Sequence, residues 1–178
     1  MLQSFFPMPK KFFSSAVVWS LAAIFLWYFG GKELGTAVGL QFPDKDANPV
    51  IGLGHFATDD FIWFYLYYSF FTLIFYGFWA NYAPHKWQLW SILGSALILF
   101  FTYFQVQVAV AVNNWYRPFY DAIQNALSNE STTAAGDLYG YMFSFLILAM
   151  TYVLFSVLTS FFVSHYIFRW RTAMNDYY

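Results

Sequence analysis

The sequence contains no cysteine and few charged residues. Its 178 residues include 8 Lys and Arg and 9 Asp and Glu, so that 10% are charged, against roughly 25% in ordinary globular chains. Without cysteine the chain has no disulfide scaffold, no thiolate metal site and no thiol catalysis. The formal net charge of −1 provides no basic field for nucleic acid, so nucleic acid is not an expected partner.

Sequence motifs for chemistry are also missing. There is no G-x-x-x-x-G-K-[ST] loop that would bind ATP, and no nucleophile stands in a recognisable elbow. The three histidines are far apart and lack metal-ligand spacing. We therefore expect no catalytic residue, no metal site, no cofactor and no enzymatic activity.

What the chain has instead is apolar length. Hydrophobic residues make up 60% and aromatic residues 26%, and the mean hydropathy is +0.48. A soluble fold of this size could not hide so much apolar surface. Four stretches between charges are long enough to cross about 30 Å of hydrocarbon as helices. The sequence thus predicts an all-α polytopic membrane protein, a single transmembrane domain over 1–178, with spans at about 12–29, 61–82, 87–114 and 138–168.

The distribution of Lys and Arg predicts the orientation of these spans. Five of them lie on one side, at the chain start, in the turn after the second span and after the fourth, and three lie in the two long loops. By the positive-inside rule the N-terminus is cytoplasmic and loops 30–60 and 115–137 are external. The bulky residues Trp27, Tyr28 and Phe29 favour an uncleaved anchor over a signal peptide.

Polar side chains inside the spans are the candidate cavity residues. Polar groups in hydrocarbon face protein or water, so aligned ones indicate either a solute cavity or a seam between packed helices. Both interpretations stay open for the following candidates: Tyr65, Ser69, Thr72, Tyr76, Thr102, Gln105 and Asn113. The serines Ser91 and Ser95 favour the seam. A row of small residues on the fourth span, Ala149, Ser156, Ser160 and Ser164, favours packing.

Two stretches resemble a known family. Trp90 to Leu127 reads WSILGSALILFFTYFQVQVAVAVNNWYRPFYDAIQNAL, and Phe161 to Tyr178 reads FFVSHYIFRWRTAMNDYY. With the opening SFFP and the PHKWQLW turn, they resemble the SbmA/BacA family of bacterial inner-membrane peptide transporters. The motif residues that carry the resemblance are Asn113, Trp115, Tyr116, Pro118, Phe119, Tyr120, Asp121, His165, Arg169, Trp170 and Arg171.

The resemblance implies a function that composition alone would not give. It implies secondary active, proton-driven import of peptides, including antimicrobial peptides and peptide-like antibiotics, by a homodimer in the inner membrane, with membrane lipids as further partners. It also implies the N-terminal half of a fold like the membrane domain of ABC exporters, since family members are about twice this long. The alternatives are an ABC transporter membrane domain whose ATPase domain is not in this chain, and a non-transporting membrane scaffold.

Proton coupling has no obvious residue in this chain. No Asp, Glu, Lys or Arg lies inside a predicted span, whereas proton relays normally use intramembrane carboxylates or histidines. His165, at the inner end of the fourth span, suits a gate better than a midplane relay. We therefore expect the coupling carboxylates beyond Tyr178, and we expect Phe168 to Arg171 to be a structural and coupling element.

Overall fold

Five α-helices and two π-helical segments make up most of the chain. The computed structural model describes residues 2–42, 49–128 and 135–178, and within them there is no strand. The α-helices are α1 (Pro9–Leu26), α2 (Lys32–Ala37), α3 (Asp59–Tyr82), α4 (Ser95–Leu127) and α5 (Ala135–Tyr177). The π-helical segments are Trp27–Gly31 and Leu89–Gly94, and short 3₁₀ turns lie at Leu2–Ser4 and Gly52–Ala57.

Local sequence accounts for the helix ends. Pro9 stands in the first turn of α1, where its missing N–H costs nothing. Asp59 and Asp60 stand in the first turn of α3, where carboxylates complement the helix dipole. Pro84 follows α3 and cannot continue it.

Four stretches are long and apolar enough to cross a membrane, as the sequence predicts. They are Pro9–Gly31, Asp59–Tyr82, Leu89–Leu127 and Leu138–Tyr177. The last two have 39 and 40 residues, which at 1.5 Å per residue is about 60 Å, twice the hydrocarbon thickness. The helical stretches that contain α4 and α5 are therefore much longer than the hydrocarbon layer is thick.

The second predicted loop differs from the observed structure. Residues 115–127, which we expected to be the first part of a loop, continue α4 without a break, so that Pro118 lies inside a helix. A helix tolerates an interior proline at the cost of one backbone hydrogen bond, and the packing of Trp115 and Phe119 described below stabilises this turn. The predicted external acids Asp44, Asp46 and Glu130 lie outside the described residues.

The chain divides into two compact units. Unit 1 combines 1–43, 59–100 and 160–178, and unit 2 combines 44–58 and 101–159. The core of unit 1 contains Phe5, Phe6, Phe12, Trp79, Ile92 and Ala173. The core of unit 2 contains Ala111, Trp115 and Leu148. The opening SFFP segment is buried, with the Phe5 ring stacked on Trp170 at 5.7 Å between centroids.

Candidate functional site

In unit 1, cationic and aromatic side chains from the last turns of α5 contact the π-helical segment before α4. Arg169 Nε donates a hydrogen bond to His165 Nε2 over 3.2 Å. The guanidinium carbon of Arg169 lies 5.3 Å from the Trp90 ring centroid, and the Trp90 and His165 rings are 4.9 Å apart. Because Nε2 accepts this bond, the neutral imidazole in this arrangement carries its proton on Nδ1.

The helix contact beside this cluster is hydrogen-bonded. The Ser95 hydroxyl lies 2.8 Å from the Tyr166 hydroxyl and donates to the Ser91 carbonyl oxygen. An added Cβ at Gly94 would stand 3.3 Å from the Tyr166 ring, so the two helices approach closely here. Ser91 is buried. Ser95 thus lies at a helix–helix seam, as predicted, and both Ser91 and Ser95 also line an apolar cavity of unit 1.

The turn between α3 and α4 contacts both the N-terminal segment, at Gln3, and the last turn of α5, at Asp176. Lys86 Nζ and Asp176 Oδ2 form an ion pair at 2.7 Å, and the Tyr177 hydroxyl donates to Gln3 Oε1 over 3.3 Å. The backbone N–H of Trp87 donates to His85 Nδ1 over 3.2 Å. Burial lowers the pKa of His85 below 6.5, and a hydrogen bond with the Gln3 backbone opposes this shift.

Trp115 is the anchor of unit 2. Its indole N–H donates to the Tyr141 carbonyl oxygen over 2.7 Å, and its ring stacks on Phe119 at 4.4 Å and contacts Phe145 at 4.8 Å. Since Trp115 is 6% exposed, these contacts join α4 to α5. The Trp115 and Phe119 positions of the motif are therefore packing residues in the described structure.

A polar pocket of about 670 Å³ lies next to this anchor. Its polar side chains are Asp121 and Asn125 from α4 and Tyr141 and Ser144 from α5, and its remaining lining is Ile51, Pro118, Ala122, Gly136 and Gly140. Asp121 contacts Arg117 at 4.0 Å, with side chains 64% and 92% exposed. An exposed pair at this distance contributes little, so the Asp121 carboxylate is accessible to a ligand.

The predicted cavity residues do not come together in one place. Tyr65 packs against rings of its own helix and against Phe100, and Thr72 lines a separate, apolar cavity. Gln105 Nε2 donates to Thr159 Oγ1 over 3.1 Å, which is a contact between α4 and α5. Ser69, Thr102 and Asn113 are exposed, and Tyr76 is half-buried. Their role toward a substrate stays a prediction.

The remaining residues named from the sequence divide into exposed and packed positions. Tyr116, Tyr120 and Arg171 are exposed, and Trp170 packs against the unit 1 core. Ser156, Ser160 and Ser164 are also exposed, while Ala149 is half-buried. Gln107, on the face opposite to Gln105, has a hydrogen-bond partner on its own helix, Tyr103.

Within 2–42, 49–128 and 135–178, no three His, Asp or Glu side chains are grouped so that they could hold a metal ion.

The comparison with known families falls on the same residues. The sequence model of the SbmA/BacA-like family matches residues 84–178, which is more than half of the 178-residue chain. The chain belongs to the SbmA/BacA-like family. The match includes the turn at Pro84, the whole of α4 and α5, the Trp115 anchor and the Arg169 cluster. It is thus a multi-pass membrane protein of a transporter family, and the resemblance drawn from the sequence is confirmed for this part.

Sequence reasoning missed two features of these sites. One is the N-terminal segment, since Phe5 and Phe6 are fully or almost fully buried, and the only signal was the apolar SFFP itself. The other is the polar pocket, whose α5 residues Gly140 and Ser144 were counted as part of an apolar span. Their spacing of four on the same helix as Tyr141 is the signal that could have indicated a shared face.

Proposed function

We propose that the chain is part of a homodimeric, proton-driven importer of peptides in the bacterial inner membrane. Membership of the SbmA/BacA-like family carries the proposal. The four membrane-crossing helices support it, as do the long helical extensions, which provide surface outside the hydrocarbon for a peptide to meet before it crosses.

The polar pocket supplies chemistry suited to a cationic peptide. Asp121 stands seven residues past position 114, the predicted membrane boundary, which is about 10 Å along the helix at 1.5 Å per residue. In the proposed orientation this places the pocket on the external side. A carboxylate there can bind a Lys or Arg side chain or an N-terminal amine. The amide of Asn125 and the hydroxyl of Ser144, both on the pocket wall, can hydrogen-bond a peptide backbone.

The energy step is assigned to groups outside this chain. A proton-driven cycle needs a group that gains and loses a proton as access alternates, and such groups are usually carboxylates whose pKa desolvation has raised. We assign coupling to carboxylates beyond Tyr178. In this scheme residues 1–178 contribute subunit packing, one wall of the peptide path, and the turn after α3, which the ion pair between Lys86 and Asp176 joins to α5.

Uptake by the full-length protein tests the proposed role of Asp121. Cells expressing Asp121→Asn should need about tenfold more of a labelled cationic peptide for half-maximal uptake, since a charge-assisted hydrogen bond contributes about 1.5 kcal/mol or more. The maximal rate and protein abundance should not change. The matched control is Glu33→Gln, which removes an exposed acid in α2, within the predicted external loop 30–60.

Two results would contradict the proposal. If Asp121→Asn and Glu33→Gln give the same half-saturating concentration as the unchanged protein, the pocket does not bind the peptide. If uptake into vesicles survives a protonophore and instead requires ATP, the transporter is of the ABC type.

A further inference from the structure

An elongated apolar cavity of about 740 Å³ lies within unit 1. Its walls are one face of α1 with the π-helical segment that follows it, one face of α3, and residues around the start of α4. The lining includes Phe12 on α1, Tyr28 in the π-helical segment, Phe64 and Phe75 on α3, and Leu99 on α4. The volume lies within the range of about 300–1,000 Å³ that is typical of ligand sites. It is separate from the polar pocket, which belongs to unit 2.

Several polar groups on the cavity wall already form hydrogen bonds within the protein. The Tyr67 hydroxyl donates to the Ala23 carbonyl oxygen over 2.6 Å, and the Tyr68 hydroxyl donates to the Ala96 carbonyl oxygen over 2.8 Å. The Trp19 indole N–H donates to the Phe71 carbonyl oxygen over 3.1 Å.

The hydroxyls of the α4 side are engaged in the same way. Ser91 donates to the Gln88 carbonyl oxygen, and Ser95 donates to the Ser91 carbonyl oxygen. A peptide brings backbone N–H and C=O groups that must be satisfied when buried, and this wall offers them few partners. A hydrocarbon chain has no such requirement, so the cavity suits an acyl chain better than a peptide.

Two lysines precede the cavity-lining part of α1 in the sequence. Lys10 and Lys11 directly precede the lining residues Phe12 and Phe13, and both lysines are exposed. In the part of the chain that the structure describes, the ion pairs are Lys86 with Asp176 and Arg117 with Asp121, so neither lysine is paired there with an acid. A phosphate would complement these two ammonium groups.

We propose that one anionic phospholipid occupies this site, with an acyl chain in the cavity and its phosphate at Lys10 and Lys11. The lining from Phe12 on α1 to Tyr28 in the π-helical segment rises about 24 Å at 1.5 Å per residue, whereas the hydrocarbon of one leaflet is about 15 Å deep, half of roughly 30 Å. An acyl chain that starts at the lysines therefore occupies the part of the cavity nearest to them, within a single leaflet.

Photocrosslinking in the full-length protein tests the site directly. The probe is phosphatidylglycerol with a diazirine on one acyl chain, added at low mole fraction to protein reconstituted in phosphatidylcholine. Peptides from the cavity wall should be labelled, and unlabelled phosphatidylglycerol should compete while additional phosphatidylcholine should not. The internal control is the exposed face of α5 at Val153, Leu154 and Val157, where bulk lipid should label without headgroup preference.

Variants separate the chain from the headgroup. Ala16→Phe places a large ring on the cavity wall and should reduce cavity labelling about tenfold, a loss of about 1.4 kcal/mol of binding free energy. Ala22→Phe, on an exposed part of α1 that does not line the cavity, should leave it unchanged. Lys10→Gln with Lys11→Gln should abolish the preference for phosphatidylglycerol, whereas Arg171→Gln, which removes one exposed charge elsewhere, should preserve it.

Four results, all measured on the unchanged protein, would overturn the proposal. In the first, labelling of the cavity is no stronger and no more selective for phosphatidylglycerol than labelling of the α5 face. Inorganic phosphate would compete as well as the lipid, which would indicate an anion site without an acyl chain. A substrate peptide would displace the probe, which would indicate a substrate site. Finally, the probe would leave the cavity peptides unlabelled although bulk lipid reaches α5.

Discussion

At the scale of single residues, Arg169 and Arg171 differ although they are two positions apart. Arg169 is half-buried, bonded to His165 and set over Trp90, whereas Arg171 is exposed. The sequence presents both as the basic end of a membrane span. Only Arg169 uses the planar geometry that distinguishes arginine from lysine.

Replacing each arginine by lysine should therefore have different effects. Arg169→Lys keeps the charge but loses the Nε–H bond to His165 and alters the cation–π contact with Trp90, which should lower the free energy of unfolding by about 1 kcal/mol. Arg171→Lys should change it by less than about 0.5 kcal/mol. Thermal unfolding in detergent, followed by size-exclusion chromatography, measures both. Equal stability of the two variants would mean that the cluster contributes nothing.

His85 makes the turn after α3 sensitive to acid. Burial lowers its pKa below 6.5 in the folded protein, so the unfolded chain binds a proton more readily than the folded one. The stability due to the neutral imidazole is present above 6.5, the unfolded pKa, and is lost as the pH falls toward the folded pKa.

We expect the unfolding temperature to fall between about pH 7.5 and about pH 5.5, where an ordinary histidine becomes charged. His85→Gln should reduce this fall, because glutamine keeps an acceptor for the Trp87 N–H and does not titrate in this range. Glu33→Gln, at an exposed site, is the control. An identical pH dependence in His85→Gln and the unchanged protein would exclude His85 as the responsible group.

At the scale of elements, the π-helical segment Leu89–Gly94 positions the seam between α4 and α5. The wider π turn stands where Gly94 meets the Tyr166 ring and where Ser95 bonds to the Tyr166 hydroxyl. Such segments often mark functional sites within helices. Here it sets the approach of two helices that the sequence alone predicts only as separate spans.

Alanine at Gly94 tests this close approach. A Cβ there stands 3.3 Å from Tyr166 and 3.4 Å from Trp90, so the tyrosine must move and its bond to Ser95 lengthens. At Gly77, in α3, a Cβ meets nothing within 4 Å, and alanine should stabilise that helix by about 0.5–1 kcal/mol. We expect Gly94→Ala to be less stable than Gly77→Ala by about 1–3 kcal/mol in thermal unfolding. The opposite order of stabilities would mean that the contact between Gly94 and Tyr166 can accommodate an added methyl group.

Helix existence was predictable from the sequence, and helix length was not. Hydropathy marks the part of a helix that lies in hydrocarbon, and the charges Lys86, Arg117 and Asp137 therefore delimited the predicted spans. Nothing in that signal tells where a helix ends in water, because a polar helix stabilised by an anchor such as Trp115 has no apolar run. Pro118, a common end signal, is overridden here by packing.

At the scale of the whole molecule, the proposed topology places both ends of this chain on one side of the membrane and the two long loops on the other. We expect single cysteines at the exposed positions Leu53 and Ser128 to react with an impermeant thiol reagent in intact spheroplasts, and one at Pro84 not to react. The native chain contains no cysteine, so there is no background. Labelling at Pro84 but not at Leu53 would invert the topology.

The sequence by itself determined the membrane class, the number of crossing helices and the family, because these depend on composition, run length and local motifs that need no partner. It did not determine which polar groups meet. Gln105 bonds Thr159, Ser95 bonds Tyr166 and Trp115 bonds the Tyr141 carbonyl oxygen. The partners of each pair are 26 or more positions apart in the sequence. Such pairs depend on how helices rotate and approach, and only the tertiary structure decides that.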